Sequence, residues 1–367
     1  MTDYFRNQII TYMGNKRKFV PIMSDIINDI TESLGHCPTI AEGFSGSGIL
    51  SRLFKTKTNE LYVNDISGYS STLNKCYLAT PDSRLQQEIR LYIDAANNFA
   101  DNPPLHLKKW VSIHWAPKER VPKKGERVYF THENGVRIDA YREFIENCPE
   151  RIKPYLLAPL LTEVSMHNNT NGQFSAFYKG ENGIGKYGGE KSVDVNRITK
   201  KIVIPYPLFN ASECNVCVSK RDVMDWIREI PEVDIVYYDP PYNKHPYSIY
   251  YFLLDIINNW DTSIEIPETY RGQPKNWYKS PYNSFKKAEA EFESLIKNTK
   301  AKFIIISYNN GGIIPLDKMD NILQKRGKVT KIPINHSTYN RLKGIASKKR
   351  VKKDVKIKEF LWIVDCR

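Results

Sequence analysis

The stretch Val233–Tyr238, V-D-I-V-Y-Y, runs straight into Asp239-Pro240-Pro241-Tyr242, and nothing else in the chain constrains the fold as much. The apolar run reads as a buried strand. Proline lacks the N–H that a central strand's ladder needs, so the chain must leave the sheet at Pro240. A carboxylate, a backbone carbonyl stiffened by a second proline, and an aromatic ring then lie together beyond one strand's carboxyl end. In open α/β sheets that crevice is where ligands bind. The plain alternative is an ordinary tight turn with Tyr242 in the core.

The rest of the chain has an α/β rhythm. Ile22, Ile26, Ile27 and Ile30 repeat at helical spacing and predict a helix over 20–34. A first strand is expected over 39–44, running into Ser45-Gly46-Ser47-Gly48 and a helix through Leu53 and Phe54. A second strand, 61–64, ends at Asp65 and precedes a helix over 71–78. Strand, glycine turn, helix, strand and acidic residue form half of a nucleotide-binding sheet. From 81 the pattern lapses into the turn signals P-P, P-K-K-G, N-N-T-N-G and K-Y-G-G, with helices expected only near 84–99, 140–147 and 155–164. It resumes with strands at 215–219, 233–238, 302–307, 328–334 and 359–364, and helices over 223–228, 247–260, 288–297 and 316–324. The expectation is an α/β fold with a mostly parallel sheet of seven strands. Residues 1–80 and 212–367 would form it, interrupted by an inserted domain at 81–211.

A net charge of +13 and 23 tyrosines suggest a polyanionic partner whose bases can stack, against the alternative of a merely soluble basic protein. No run reaches membrane-spanning length, and no apolar segment follows residues 1–6 as a secretory signal would require. The six cysteines are scattered; Cys214 and Cys217 lack a second pair at zinc spacing. All six read as reduced thiols of a cytoplasmic protein, and no metal is expected. Gly46 and Gly48 would let the backbone approach a ligand closely, and the absence of a third glycine at dinucleotide spacing disfavours NAD. Asp65 is placed to hold ribose hydroxyls, or equally to cap a helix. Glu42 could hold an ammonium group, which an amino-acid-bearing cofactor has and a nicotinamide lacks.

Thr11-Tyr12-Met13-Gly14-Asn15-Lys16 ahead of E-G-F-S-G-S-G, then Asn64-Asp65, then D-P-P-Y after a long insert, resembles the Dam-like alpha group of adenine-specific DNA methyltransferases, the type II restriction–modification methylases. The resemblance implies a Rossmann-like methyltransferase sheet using S-adenosyl-L-methionine, with 81–211 as the target-recognition insert. Carried over by position, it implies Tyr12, Lys16, Glu42, Phe44, Gly46, Gly48, Asp65, Asp222 and Asp239 at the cofactor. Asp239, Pro240 and Tyr242 become the catalytic group. Gly43 stands where the family often has Pro, and Tyr12 where Dam-type enzymes have Trp.

The stretch 168–180 resembles the N-x-x-G-x-F segment that contacts DNA beside the target base, which implies Asn171, Gln173, Phe174 and Lys179 as DNA-binding residues; a polar hairpin anchored by its Phe is the alternative. Lys348, Lys349 and Arg350, in a basic run over 341–358, are expected on phosphates, unless that run is only a solvated charge cluster. Tyr247, Tyr250 and Tyr251 would border the base pocket, though helical spacing favours Tyr250 or Tyr251 as core. His245 and His336 read as polar loop residues.

The implied activity is methyl transfer to the exocyclic amine of an adenine flipped out of double-stranded DNA. Methylation of RNA adenine or of the cytosine amine stays open, although cytosine enzymes more often carry Ser at position 239. A silent DNA-binding module is the alternative from another class; the intact D-P-P-Y and glycine loop argue against it. A bacterial, nucleoid-associated monomer is expected. A separately acting restriction endonuclease would make it the protective half of a pair.

Overall fold

The computed structural model describes residues 2–275, 277–334 and 358–367. Lys348, Lys349, Arg350 and His336 lie outside the described residues.

Among the described residues, seven strands form one sheet in the order β3-β2-β1-β4-β5-β7-β6. They are β1 (Ile40–Glu42), β2 (Glu60–Asn64), β3 (Asn215–Ser219), β4 (Val233–Tyr238), β5 (Ala301–Asn309), β6 (Lys328–Ile334) and β7 (Glu359–Asp365). β1 to β5 are mutually parallel, and β7 runs antiparallel between β5 and β6. This is the Rossmann-like, mostly parallel arrangement that the sequence pattern suggests. The chain leaves β1 toward β2 and returns to β4 on β1's other flank, so the strand order reverses between β1 and β4. A crevice opens beyond the carboxyl ends of strands at such a reversal.

Side chains alternate across the central strands, as a pleat requires. Ile235, Tyr237, Phe303 and Ile305 pack on one face with the helices Val20–Leu34 and Ile49–Lys55. Val236, Tyr238, Ile304 and Ile306 pack on the other with Val223–Glu229, Ala288–Asn298 and Leu316–Gln324. A third cluster joins Tyr69, Leu73 and Tyr77 of the helix Gly68–Tyr77 to the helices Ser83–Asp101, His132–Glu146 and Lys153–Met166, and on to Phe252–Asn259. The stretch after residue 81 therefore shares its core with helices that flank the sheet. No helix among the described residues is long and apolar enough to cross a membrane.

Three local expectations shift. β1 is three residues long, because the chain turns into the glycine loop directly after Glu42. β5 runs on through Tyr308 and Asn309, which pair with Phe360 and Glu359 of β7. The helix expected over 247–260 breaks at Tyr251, whose φ of -122° is not helical. Tyr251 is fully buried, accepts a hydrogen bond from the Met13 N–H at 2.7 Å and stacks on Tyr12 at 4.8 Å. That tertiary anchor outweighs the helical pattern.

Candidate active site

A cavity of about 440 Å³ opens at the strand-order reversal. Its wall includes Tyr12, Lys16, Glu42, Phe44, Gly46, Asp65, Asp222 and Asp239, eight of the nine residues singled out for the cofactor. Gly48 sits just behind it at φ +73°, capping the helix Ile49–Lys55, with the Asn74 carboxamide against its α-carbon.

The glycine loop is fastened from two sides. Asn74 donates to Ser45 Oγ at 2.9 Å, and Asp65 accepts the Gly46 N–H at 2.8 Å and the Ser67 N–H at 2.8 Å. A Cβ on Gly46, at φ +52°, would lie 2.8 Å from the Tyr12 ring, so only glycine fits there. Tyr12 packs near-parallel against both Tyr247 (5.1 Å) and Tyr251 (4.8 Å), which are themselves 6.0 Å apart. Arg52 holds the start of this amino-terminal segment. It is 1% exposed, donates to the carbonyls of Tyr4, Asn7 and Gln8, and lies 4.1 Å over the Tyr77 ring.

Glu42, Asp65 and Asp222 are three of the carboxylates on the cavity wall. Burial pushes Glu42 up to about 8, with the Ser51 hydroxyl donating to it and Asp239 and Asp65 adding repulsion. Burial also raises Asp65, against its backbone hydrogen bonds. Asp222 caps the helix Val223–Glu229 through the Met224 N–H at 2.9 Å and accepts the Tyr278 hydroxyl at 2.9 Å.

Asp239 stands at the deep end. Its Oδ1 accepts the Ser307 hydroxyl at 2.8 Å and lies 3.2 Å from Lys16 Nζ. Tyr237 and Ser307 hydroxyls are 2.8 Å apart; since Ser307 donates to the carboxylate, Tyr237 donates to Ser307. Lys16 also reaches Glu359 at 3.1 Å. Burial raises Asp239, and Lys16 and Ser307 pull it back. Burial works against the Lys16 ammonium, but Asp239, Tyr242 and Glu359 outweigh it and hold Lys16 above the ordinary lysine range. Pro240 is buried, and Tyr242 packs beside this cavity rather than lining it. Its ring meets Tyr308 edge-on at 6.0 Å, and a Cβ on Gly14 would strike its hydroxyl.

The stretch 168–180 reaches the same neighbourhood. Asn168, Asn169 and Thr170 are buried, and Asn169 ties Val128, Tyr178 and Gly188 together through its amide and backbone. Gln173 lies 3.4 Å from the Met13 sulfur. Lys179 sits 3.4 Å over the Tyr270 ring. Asn171 is partly buried at the loop tip. Phe174 corrects the sequence reading of its side chain: the ring is 1% exposed, within 6.4 Å of Tyr129 and Phe130, so it is the core anchor of this loop. Its N–H donates to the Tyr250 carbonyl at 2.8 Å, fastening the loop to the segment after D-P-P-Y.

Sequence reasoning missed Ser307, Glu359 and Asp255. Ser307 closes an apolar strand and Glu359 opens one, so neither stands out locally. Asp255 lines the cavity, and burial pushes it up to about 7 against the pull of Lys220. No group of three or more His, Cys, Asp or Glu among the described residues is arranged to hold a metal ion.

Residues 12–322 match the model of the D12 class N6 adenine-specific DNA methyltransferases. The type II methyltransferase M.NlaIII of Neisseria lactamica is 27% identical over 362 residues, which is 97% of this chain and 99% of that one. The type II methyltransferase M.CviAII of Paramecium bursaria Chlorella virus 1 is 26% identical over 334 residues, 90% of this chain and 92% of that one. The modification methylase LlaI of Lactococcus lactis subsp. lactis is 26% identical over 336 residues, covering 86% of this chain and 48% of that protein.

Proposed function

The chain belongs to the D12 class N6 adenine-specific DNA methyltransferase family, and we propose that its cavity holds S-adenosyl-L-methionine with Asp239 at the reacting amine. It is a site-specific adenine DNA methyltransferase of restriction–modification type. The residues present suit that cofactor. Glu42 is a buried carboxylate at the cavity wall, suited to an ammonium group, and Gly46, whose α-carbon closes against the Tyr12 ring, lines the same wall. Asp65 and Asp222 are placed for the ribose and the adenine side. When bound, the cofactor supplies an electrophilic methyl group on a sulfonium.

The exocyclic amine of adenine is a poor nucleophile because its lone pair is delocalised into the ring. Asp239 and the Pro240 carbonyl each accept one amine hydrogen, which localises the lone pair and stabilises the positive charge that develops. Asp239 Oδ1 is already taken by Ser307 and Lys16, so Oδ2 is the oxygen for the substrate. Tyr242 stacks on the flipped ring, worth roughly 1–3 kcal/mol. Flipping costs a few kcal/mol, so contacts from Asn171, Gln173, Lys179 and the basic run 341–358 must add to stacking. We take 81–211 as the target-recognition insert and 1–80 with 212–367 as the catalytic domain. The protein acts as a cytoplasmic monomer on duplex DNA, and a separate endonuclease of the same specificity is its counterpart.

The observation that carries this reading is the convergence of Asp239 and seven other expected cofactor residues on one cavity. Expression in a methylation-free host, followed by single-molecule sequencing, should reveal N6-methyladenine at one recognition sequence and none with Asp239→Ala. Modified cytosine, or full activity in that variant, would refute it.

A further inference from the structure

We propose that Glu359 is a positioning residue: by sharing the Lys16 ammonium with Asp239, it keeps Asp239 a full hydrogen-bond acceptor for the substrate amine. This rests on Asp239 being that acceptor. Lys16 carries one positive charge, and its side chain is only 6% exposed. Its Nζ stands 3.2 Å from Asp239 and 3.1 Å from Glu359, so the two carboxylates divide it almost evenly. Facing Lys16 alone, Asp239 would be neutralised by a tight ion pair in a poorly solvated place, and a neutralised carboxylate is a weaker acceptor. With Glu359 present the ammonium is shared by two carboxylates.

The topology explains how a residue so distant arrives there. β7 runs antiparallel among parallel neighbours, so its first residue lies beside their carboxyl ends. Glu359 pairs with Asn309, two positions beyond Ser307 on β5. Ser307 and Lys16 thus meet Asp239 on the same oxygen from two directions, with Glu359 restraining the second.

Other ionisable groups around Asp239 are Glu42 at the end of β1, Tyr237 on β4, and Tyr242 and Tyr247 after it. Glu359 also acts on the Tyr237 and Tyr242 hydroxyls, but burial raises both, so neither ionises across the acid limb and the shift between parent and variant reports Asp239. The test is single-turnover methylation of a duplex oligonucleotide across pH, using Glu359→Gln and Glu359→Asp in the full chain. Glu359→Gln keeps a hydrogen-bond acceptor for Lys16 and loses the charge. It should lower the methylation rate about tenfold, leave cofactor affinity within about twofold, and move the acid limb to lower pH, because a repelling negative charge near Asp239 has gone. Glu359→Asp should restore most of the rate. A parental rate with an unmoved limb in Glu359→Gln overturns the proposal, as does a slower rate that Glu359→Asp does not restore. Should Glu359→Gln fail to fold, Glu359→Thr, a residue suited to the strand β7, takes its place: the same loss of rate and the same downward move of the limb are expected, and a parental rate with an unmoved limb overturns the proposal. Activity surviving in Asp239→Ala would instead reject the assignment of Asp239.

Discussion

Replacing Glu42 with Gln should stabilise the ligand-free protein while crippling cofactor binding. Glu42 is 1% exposed, and burial lifts it from an ordinary 4.5 to about 8. Between those values the folded chain keeps a proton that the unfolded chain has released, so stability falls as pH rises through the window. From 4.5 to pH 7, at about 1.4 kcal/mol per unit, the loss comes to about 3 kcal/mol. Gln never ionises and still accepts the Ser51 hydroxyl. Glu42→Gln should therefore be about 3 kcal/mol more stable at pH 7 by urea unfolding, and nearly unchanged at pH 4. Ligand binding runs the other way. A bound ammonium wants the ionised carboxylate, so in the parent protein affinity for S-adenosyl-L-methionine should rise with pH up to about 8. Calorimetry at pH 7, in two buffers of different ionisation enthalpy, should show close to one proton released on binding. An equal affinity in Glu42→Gln, or a stability difference independent of pH, would refute the reasoning.

Asp234, at the other end of β4, is held down to about 2: burial would raise it, but Lys302, Thr39 and His36 outweigh burial. Its contribution is present above the unfolded carboxylate's range and fades as pH falls toward 2, so Asp234→Asn should cost about 1–2 kcal/mol at pH 7 and almost nothing at pH 2 in unfolding titrations. Arg52→Met leaves three carbonyls of the amino-terminal segment without their donor; it should cost about 3 kcal/mol in thermal unfolding and weaken cofactor binding through displacement of Tyr12 and Lys16. DNA affinity should drop by orders of magnitude between about 50 and 200 mM salt, and a flat response in fluorescence anisotropy would mean that the +13 charge is not spent on phosphates.

The parts legible from sequence are those in which local chemistry and position coincide. V-D-I-V-Y-Y before two prolines can only be a strand that stops, and β4 runs over those same six residues. The glycines after Glu42 and the acid at the end of β2 announce their turns in the same way. What stayed hidden depends on contacts between distant segments. Lys16 and Glu359 are 343 positions apart, and only the antiparallel entry of β7 brings them together. Arg52 and Lys55 look like the wet face of a short helix. Yet both are buried: Arg52 fastens the amino-terminal segment, and Lys55 links the carbonyls of Ala79 and Asn210 at 3.0 and 2.9 Å. Tyr251 and Phe174 fall between the two: helical spacing favours Tyr250 or Tyr251 as core and a hairpin offers Phe174 as its anchor, but neither pattern reveals the partners Tyr12 and Tyr129.

The two ligands of this enzyme make opposite electrostatic demands. The cofactor carries a sulfonium and an ammonium, whereas DNA is a polyanion. On the proposed reading a chain of net charge +13 serves the second, while Glu42, Asp65, Asp222 and Asp239 line the cavity that would serve the first. The two fields coexist because they act over different ranges. At physiological salt, exposed charges are screened within about 8 Å, whereas carboxylates buried in a low-dielectric wall act strongly on whatever touches them. Lys220 and Arg221 also reach the cavity wall, but Lys16 is the cation that stands against Asp239. Its charge is already divided between Asp239 and Glu359, so it cannot cancel the pull of Glu42 on a cationic ligand. In the proposed mechanism that division also leaves Asp239 able to face the nucleobase with its other oxygen, where the cofactor's field and the DNA's field must both be satisfied.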